Sequence, residues 1–212
     1  DNAMFIIALD YLLEMAPDSP QASRWKSLRE GIERNVRAHL WDVKRQKFIP
    51  HIYPEKSPIP EGFDELAIHY HGGTAIAIEA GLLSKDEIRT VNAQMLENVR
   101  LSGMPSIGLT LYPVYPDGFF HGGMSKAYLY QNGGDWTWFG GRMIQQLVVN
   151  GMVEEAYAEI HPMIERVIQN DGFYEWYGKG GVPSGSGNFK GSAGVLSKAI
   201  ELLRDWAEKN KS

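Results

Sequence analysis

Asn132-Gly133-Gly134-Asp135-Trp136 leads into an apolar run from Trp138-Phe139 through Met143-Ile144 to Leu147-Val148. A surface helix keeps its apolar residues to one stripe. This run has none of that narrowness and reads as a helix buried all round. Two other junctions share its character: His71-Gly72-Gly73-Thr74-Ala75, which opens the run to Leu83, and Lys190-Gly191-Ser192-Ala193-Gly194, which opens Val195, Leu196, Ala199, Leu202, Leu203 and Trp206. Gly72 and Gly133 are 61 positions apart and Gly133 and Gly191 are 58 apart, so one structural unit repeats about every 60 residues.

Between the broad runs lie segments with a single stripe. Ile88, Val91, Met95 and Val99 step by three or four, as do Val153, Ala156/Tyr157, Ile160, Ile164 and Val167/Ile168. These are expected to be outer helices with one wet face. The first 40 residues follow the same order, with a broadly apolar segment 1–15 (Met4, Phe5, Ile7, Ala8, Tyr11, Leu12) and a striped segment 20–40 (Trp25, Leu28, Ile32, Val36, Leu40). Helix boundaries are marked: Gly81 and Gly151 suit C-terminal stops, Ser84 and Asp135 suit N-caps, and Pro17 and Pro20 punctuate the first turn. Pro162 is expected to kink or split the helix that contains it. Phe48–Tyr53 and Leu109–Tyr115 fit short strands or extended loops.

Alternating buried and half-wet helices describe an all-α fold of the α/α toroid kind, with concentric inner and outer rings, better than a bundle or a 34-residue tetratricopeptide array. Six hairpins at this period need about 360–400 residues. The 212 residues present form one domain and supply about three and a half hairpins, an incomplete ring. The first residues read as the middle of a longer pattern. The expected partner is therefore an N-terminal half of the barrel, or another copy of the chain, that completes the ring.

Composition narrows the function. With 21 Lys and Arg against 26 Asp and Glu, a net charge of −5 and no basic stripe interleaved with aromatics, nucleic acid is not an expected partner. No apolar stretch reaches the roughly 18–20 residues that span a bilayer, so no membrane partner is expected. The absence of cysteine excludes disulfides and thiolate chemistry, and leaves the compartment open. His69 and His71 lie two apart without a third ligand in any zinc spacing, and no Gly-rich segment ends as a phosphate loop does. Neither a metal nor a cofactor is expected.

The loops feeding the inner helices are long and carry sugar-binding chemistry. Residues 102–136 hold Tyr112, Tyr115, Tyr128, Tyr130, Asn132, Asp135 and Trp136; residues 170–190 hold Tyr174, Glu175, Trp176 and Tyr177. Aromatic faces cover the C–H faces of a pyranose while amides and carboxylates take its hydroxyls. Glu175, in Phe173-Tyr174-Glu175-Trp176-Tyr177, fits the carboxylate that activates water in an inverting glycosidase. Asp135 fits an N-cap and also an acceptor for sugar hydroxyls. Glu61, Asp64 and Glu65 sit in a Pro-rich loop and read as solvated.

Tyr130-Gln131-Asn132-Gly133-Gly134-Asp135-Trp136, Glu175-Trp176-Tyr177 and the stretch Gly185, Ser186, Phe189, Ser192, Ala193 together resemble the six-hairpin glycosidases, the α/α-barrel superfamily of trehalases, processing α-glucosidases, debranching enzymes and rhamnosidases. The resemblance implies that the chain is the C-terminal part of a catalytic domain of a glycoside hydrolase, exo-acting on an oligo- or disaccharide. It implies Glu175 as general base, with Asn132, Asp135 and Trp136 lining the subsite for the terminal sugar. Tyr174, Trp176 and Tyr177 join them as expected sugar contacts. The general acid of such enzymes lies in an earlier hairpin and has no counterpart here. The order Asn-Gly-Gly-Asp departs from the trehalase pattern, which disfavours trehalose. The rival expectations are a non-catalytic carbohydrate-binding or helical scaffold protein, and a sugar epimerase or lyase on the same barrel using His71, His121 or Tyr174.

Overall fold

The computed structural model describes residues 1–211 and is all-α. Seven helices run α1 (Asn2–Met15), α2 (Ala22–His39), α3 (His71–Glu79), α4 (Lys85–Ser102), α5 (Thr137–Val149), α6 (Val153–Gln169) and α7 (Lys190–Lys209). The odd-numbered helices pack side by side in sequence order, α1 on α3, α3 on α5 and α5 on α7. Among the even-numbered helices, α2 covers α1, and α6 covers α5 and part of α7. The expected two-layer arrangement of hairpins is present. Among the described residues no helix is long and apolar enough to cross a membrane.

One core joins the layers. Ile78, Met143, Ile144, Leu147 and Leu196 of the inner row meet Ile88, Val91, Met95, Ala156, Ile160 and Met163 of the outer one. Burying each large aliphatic side chain stabilises the fold by roughly 1.5–3 kcal/mol, so this interlayer contact is what holds the hairpins together. Outer helices show the striped pattern: on α6, Ala156, Ile160 and Met163 face in while Tyr157 and Ile168 are exposed.

Several expectations are corrected. α1 is not buried all round: only Ile6 and Leu9 are covered, and Met4, Phe5, Tyr11, Leu12 and Met15 are exposed, because the inner row flanks this helix on one side only. α7 has the same position at the other end, where Ile200 and Trp206 are exposed. Pro162 does not split α6, which runs unbroken from Val153 to Gln169; the proline removes one backbone donor and the flanking turns carry the helix through. Asp135 caps no helix. Trp136 is the N-cap of α5 and makes no side-chain cap bond. Ser84, by contrast, caps α4 in a reciprocal capping box with Glu87.

Besides three 3-10 turns (Glu65–Ala67, Gly122–Met124 and Lys179–Gly181), the described residues form three antiparallel pairs of two-residue strands: β1 (Trp41–Asp42) with β2 (Lys47–Phe48), β3 (His69–Tyr70) with β4 (Leu111–Tyr112), and β5 (Trp176–Tyr177) with β6 (Pro183–Ser184). The rest of 48–53 and 109–115 is irregular. These short ladders tie together the loops that feed the inner helices. Gly72 N donates to Thr110 O, Thr110 N to Gly134 O, Trp136 N to Gly108 O, and Asp135 and Tyr177 exchange N–H···O bonds of 2.9 and 2.8 Å. The starts of α3 and α5 and the loop that feeds α7 are thereby laced into one rim.

Candidate active site

Two buried side chains hold the rim from below. Asn132 has no exposed surface: its Oδ1 accepts from Tyr115 N at 2.9 Å, and its Nδ2 donates to the carbonyls of Tyr115 (3.1 Å) and Lys126 (3.2 Å). Asp135 is equally buried. Arg166, reaching in from α6, places Nη1 at 2.8 Å from Asp135 Oδ1, and Ser106 Oγ donates to both carboxylate oxygens at 2.9 and 2.7 Å. The same guanidinium lies 4.0 Å from the centre of the Tyr177 ring and donates to Thr137 Oγ1 at 2.7 Å. A buried carboxylate needs a paired cation and hydrogen bonds to offset its desolvation, and Asp135 has both. Its carboxylate is thus taken up by Arg166 and Ser106 rather than by a cap bond.

Tyr177 is fully buried, and among the described residues its hydroxyl has no hydrogen-bond partner. Burial pushes its phenol up, partly opposed by the Arg166 charge. Asn132, Asp135 and Tyr177 thus form the floor beneath the rim and offer no atom to solvent. Trp136 is 5% exposed, with Nε1 donating to Tyr130 O at 3.2 Å.

Above this floor the rim is open. Tyr130, Tyr174, Glu175 and Trp176 are half-buried. The Tyr130 ring meets Trp136 edge-on at 4.8 Å and Trp176 at 6.3 Å. Glu175 N donates to Ser186 O at 2.9 Å, and Ser186 N points back at Glu175 Oε2 at 3.4 Å. Gly185, at φ +72°, lies directly against the carboxylate: a Cβ there would stand 2.5 Å from Glu175 Oε2 and 2.7 Å from Glu175 Cβ. Only glycine allows both the turn and the approach. Burial, and then the neighbouring Glu175 charge, push the Tyr130 hydroxyl up. The arrangement is a carboxylate clamped at the edge of an aromatic platform, in a geometry suited to accepting a proton beside a flat apolar ligand face.

Sequence reasoning missed a second carboxylate. Glu65, expected to be solvated, is 9% exposed. Its Oε1 accepts from Tyr115 Oη at 2.6 Å and Tyr53 Oη at 3.0 Å and lies 2.8 Å from His51 Nδ1; Tyr115 Oη is 2.5 Å from Tyr70 Oη. Burial alone would raise the Glu65 carboxyl, but these donors outweigh it and hold it below the ordinary range. Phe63, Phe119 and Phe120 pack on Tyr115 and shield the network. No local pattern could reveal it, because Tyr115 and His51 lie 50 and 14 positions away. Of the histidines named for epimerisation, His71 is buried at the start of α3 with Nε2 3.0 Å from Asn98 Nδ2, while His121 is exposed.

No protein-family profile matches the sequence, and no curated protein matches it. Among solved structures, the chain is similar to the crystal structure of a GH63 mannosylglycerate hydrolase from Thermus thermophilus in complex with Tris and D-glycerate, with a TM-score of 0.62 and 18% sequence identity over 96% of this chain. The chain spans 44% of the length of that protein. At this identity the likeness is one of fold, and it agrees with the all-α architecture of helical hairpins described above.

Proposed function

We propose that the chain is the C-terminal part of an α/α-barrel catalytic domain of a glycoside hydrolase, inverting and exo-acting on an oligo- or disaccharide, with Glu175 as general base. The observation that carries this reading is the setting of Glu175: a half-buried carboxylate braced by the Ser186 N–H and the bare Gly185 backbone, beside the Tyr130 and Trp176 rings. Its fold neighbour is a hydrolase named for mannosylglycerate, which is compatible with a small glycoside as substrate.

In this mechanism the aromatic platform takes the apolar face of the terminal sugar. Glu175 accepts a proton from a water molecule, whose oxygen attacks the anomeric carbon as the bond to the leaving oxygen breaks. That oxygen takes a proton from a carboxylic acid about 6.5–9.5 Å from Glu175. We assign this acid to the remainder of the barrel, an N-terminal half or another copy of the chain. Trp136 borders the sugar site, and Tyr174 and Trp176 contact the substrate. Asn132, Asp135 and Tyr177 act from beneath as positioning residues, since none reaches the surface.

The test is Glu175→Gln in the complete protein, assayed on aryl glycosides. A phenolate leaving group needs little acid assistance, so the assay isolates the base. The rate is expected to fall about 10²–10⁴-fold with the melting temperature unchanged; retention of most of the rate rejects the assignment. Saccharide binding without turnover in both proteins would instead favour a binding module.

A further inference from the structure

We propose that the outer wall carries a second ligand site, in which the groove between α4 and the β1–β2 hairpin takes a small acidic or phosphorylated sugar, its oxyanion held against Lys47. This inference does not depend on Glu175 or on any hydrolytic activity.

The groove is a cavity of about 850 Å³, bounded by Arg45 and Lys47 of the hairpin, His69 of β3, and Arg89, Gln94 and Asn98 of α4. Lys47 is 3% exposed, and its Nζ donates to the Ile68 carbonyl. Among the described residues it has no carboxylate partner, although every other closely held cation in the core layers has one: Arg166 pairs with Asp135, and Arg142 with Glu79. An ammonium taken out of water without a counter-ion is costly, and the usual remedy is an anion. Burial pushes Lys47 down to about 8, with the Arg45 charge acting in the same direction and Asp42 and Asp64, which lie beyond ion-pair distance, opposing it only in part.

The rest of the wall supports an anionic ligand larger than a bare ion. Arg45 and Arg89 stand at the mouth, with side chains 51% and 59% exposed, bonded to Asp42 and Asp86 at 2.7 and 2.9 Å. Pairs so open to water are weakly held and readily exchanged for a ligand. Glu97, also on the wall, is taken up by Arg100 at 2.6 Å, so among the described residues Lys47 is the wall charge left without a close ion-pair partner. Burial and the Lys47 charge hold His69 near a pKa of about 4, which leaves its ring uncharged. Gln94 Nε2 is committed to Arg45 O at 2.9 Å and its side chain also bonds His69, whereas Asn98 Nδ2 lies 3.0 Å from His71 Nε2, which leaves the Asn98 side-chain carbonyl as an acceptor for a hydroxyl group. A phosphate alone would leave most of the cavity unfilled, whereas pockets of about 300–1,000 Å³ are usual for sugar-sized molecules.

The experiment is a calorimetric titration of the intact chain with glucose 6-phosphate, glucuronate, inorganic phosphate and glucose at fixed ionic strength and pH 7. Saturable binding is expected for the two acidic sugars, weaker binding for phosphate and none for glucose. Lys47→Met keeps the apolar stem and is expected to weaken binding by about 10–100-fold, as for loss of a charge-assisted hydrogen bond. If that variant does not fold, the double variant Arg45→Gln/Arg89→Gln alters exposed side chains only and is expected to lower affinity in the same order of ligands. Absence of saturable binding, unaltered affinity in Lys47→Met, or phosphate binding as tightly as the acidic sugars would each overturn the proposal.

Discussion

Glu159, in the seam between α4 and α6, makes the stability of the protein depend on pH. The residue is 8% exposed; Asn92 Nδ2 donates to its Oε1 at 2.7 Å, and Oε2 has no partner. Burial, reinforced by the charge of Glu155 and only partly opposed by Asn92, raises its carboxyl to about 7. The unfolded chain releases this proton near the ordinary value of 4.5, so between pH 4.5 and 7 the folded state binds more protons than the unfolded one. The contribution of Glu159 to stability is therefore fully present below pH 4.5, falls as pH rises, and levels off above pH 7. Glu159→Gln, which keeps the bond from Asn92 and cannot ionise, is expected to match the wild type below pH 4.5 and to exceed it by on the order of 3 kcal/mol above pH 7. Urea unfolding at pH 4.5 and 8 checks this, and an equal effect at both pH values would refute it. The candidate site shows why single residues were only partly legible. Glu175 stood out because its rings flank it in sequence. Asp135 looked like a cap because its position before α5 is visible locally, whereas the Arg166 that claims it lies 31 positions further on. Glu65 looked solvated for the same reason, with its principal donor 50 positions away.

At the scale of elements, sequence period and punctuation located the helices well where the signal is local. The capping box at the start of α4 is an instance: Ser84 Oγ accepts from Glu87 N while Glu87 Oε2 accepts from Ser84 N at 2.8 Å. Ser84→Ala is expected to cost about 1 kcal/mol, lowering the melting temperature by about 2–4 °C for a chain of this size, with a smaller loss for Ser84→Asp, which restores an acceptor. Gly81 and Gly151 end α3 and α5 in the left-handed region, at φ +72° and +82°, as their places after apolar runs suggested. The burial of each helix was less legible, because it depends on neighbours rather than on composition. α1 is more apolar than α5, but packs against an inner neighbour on one side only, so about half its apolar residues stay wet. The strand pairs were beyond reach for another reason: two-residue ladders carry no period, and their partners are fixed by the rim they close.

For the whole molecule, the decisive connection is the one that crosses the layers. The outer helix α6 sends Arg166 through the wall to Asp135, Thr137 and the Tyr177 ring, and Asp135 in turn bonds Tyr177 through the backbone and Ser106 through its side chain. One guanidinium therefore couples an outer helix, the start of an inner helix and two rim loops. Removing it leaves a buried carboxylate unpaired, a loss of about 3–5 kcal/mol. Arg166→Met is expected to lower global stability by that order. It should also abolish amide hydrogen-exchange protection at Trp136, Asp135 and Tyr177 together, because their backbone bonds belong to the same ladder, while protection within α2 persists. Asp135→Asn in the Arg166→Met background should recover part of the loss, since the uncompensated charge is then gone. If the rim amides lost protection one at a time, or if the second substitution added its own full cost, the rim would not be the single unit that the Asp135–Arg166 pair makes it, and the floor beneath Glu175 would owe its position to the loops alone.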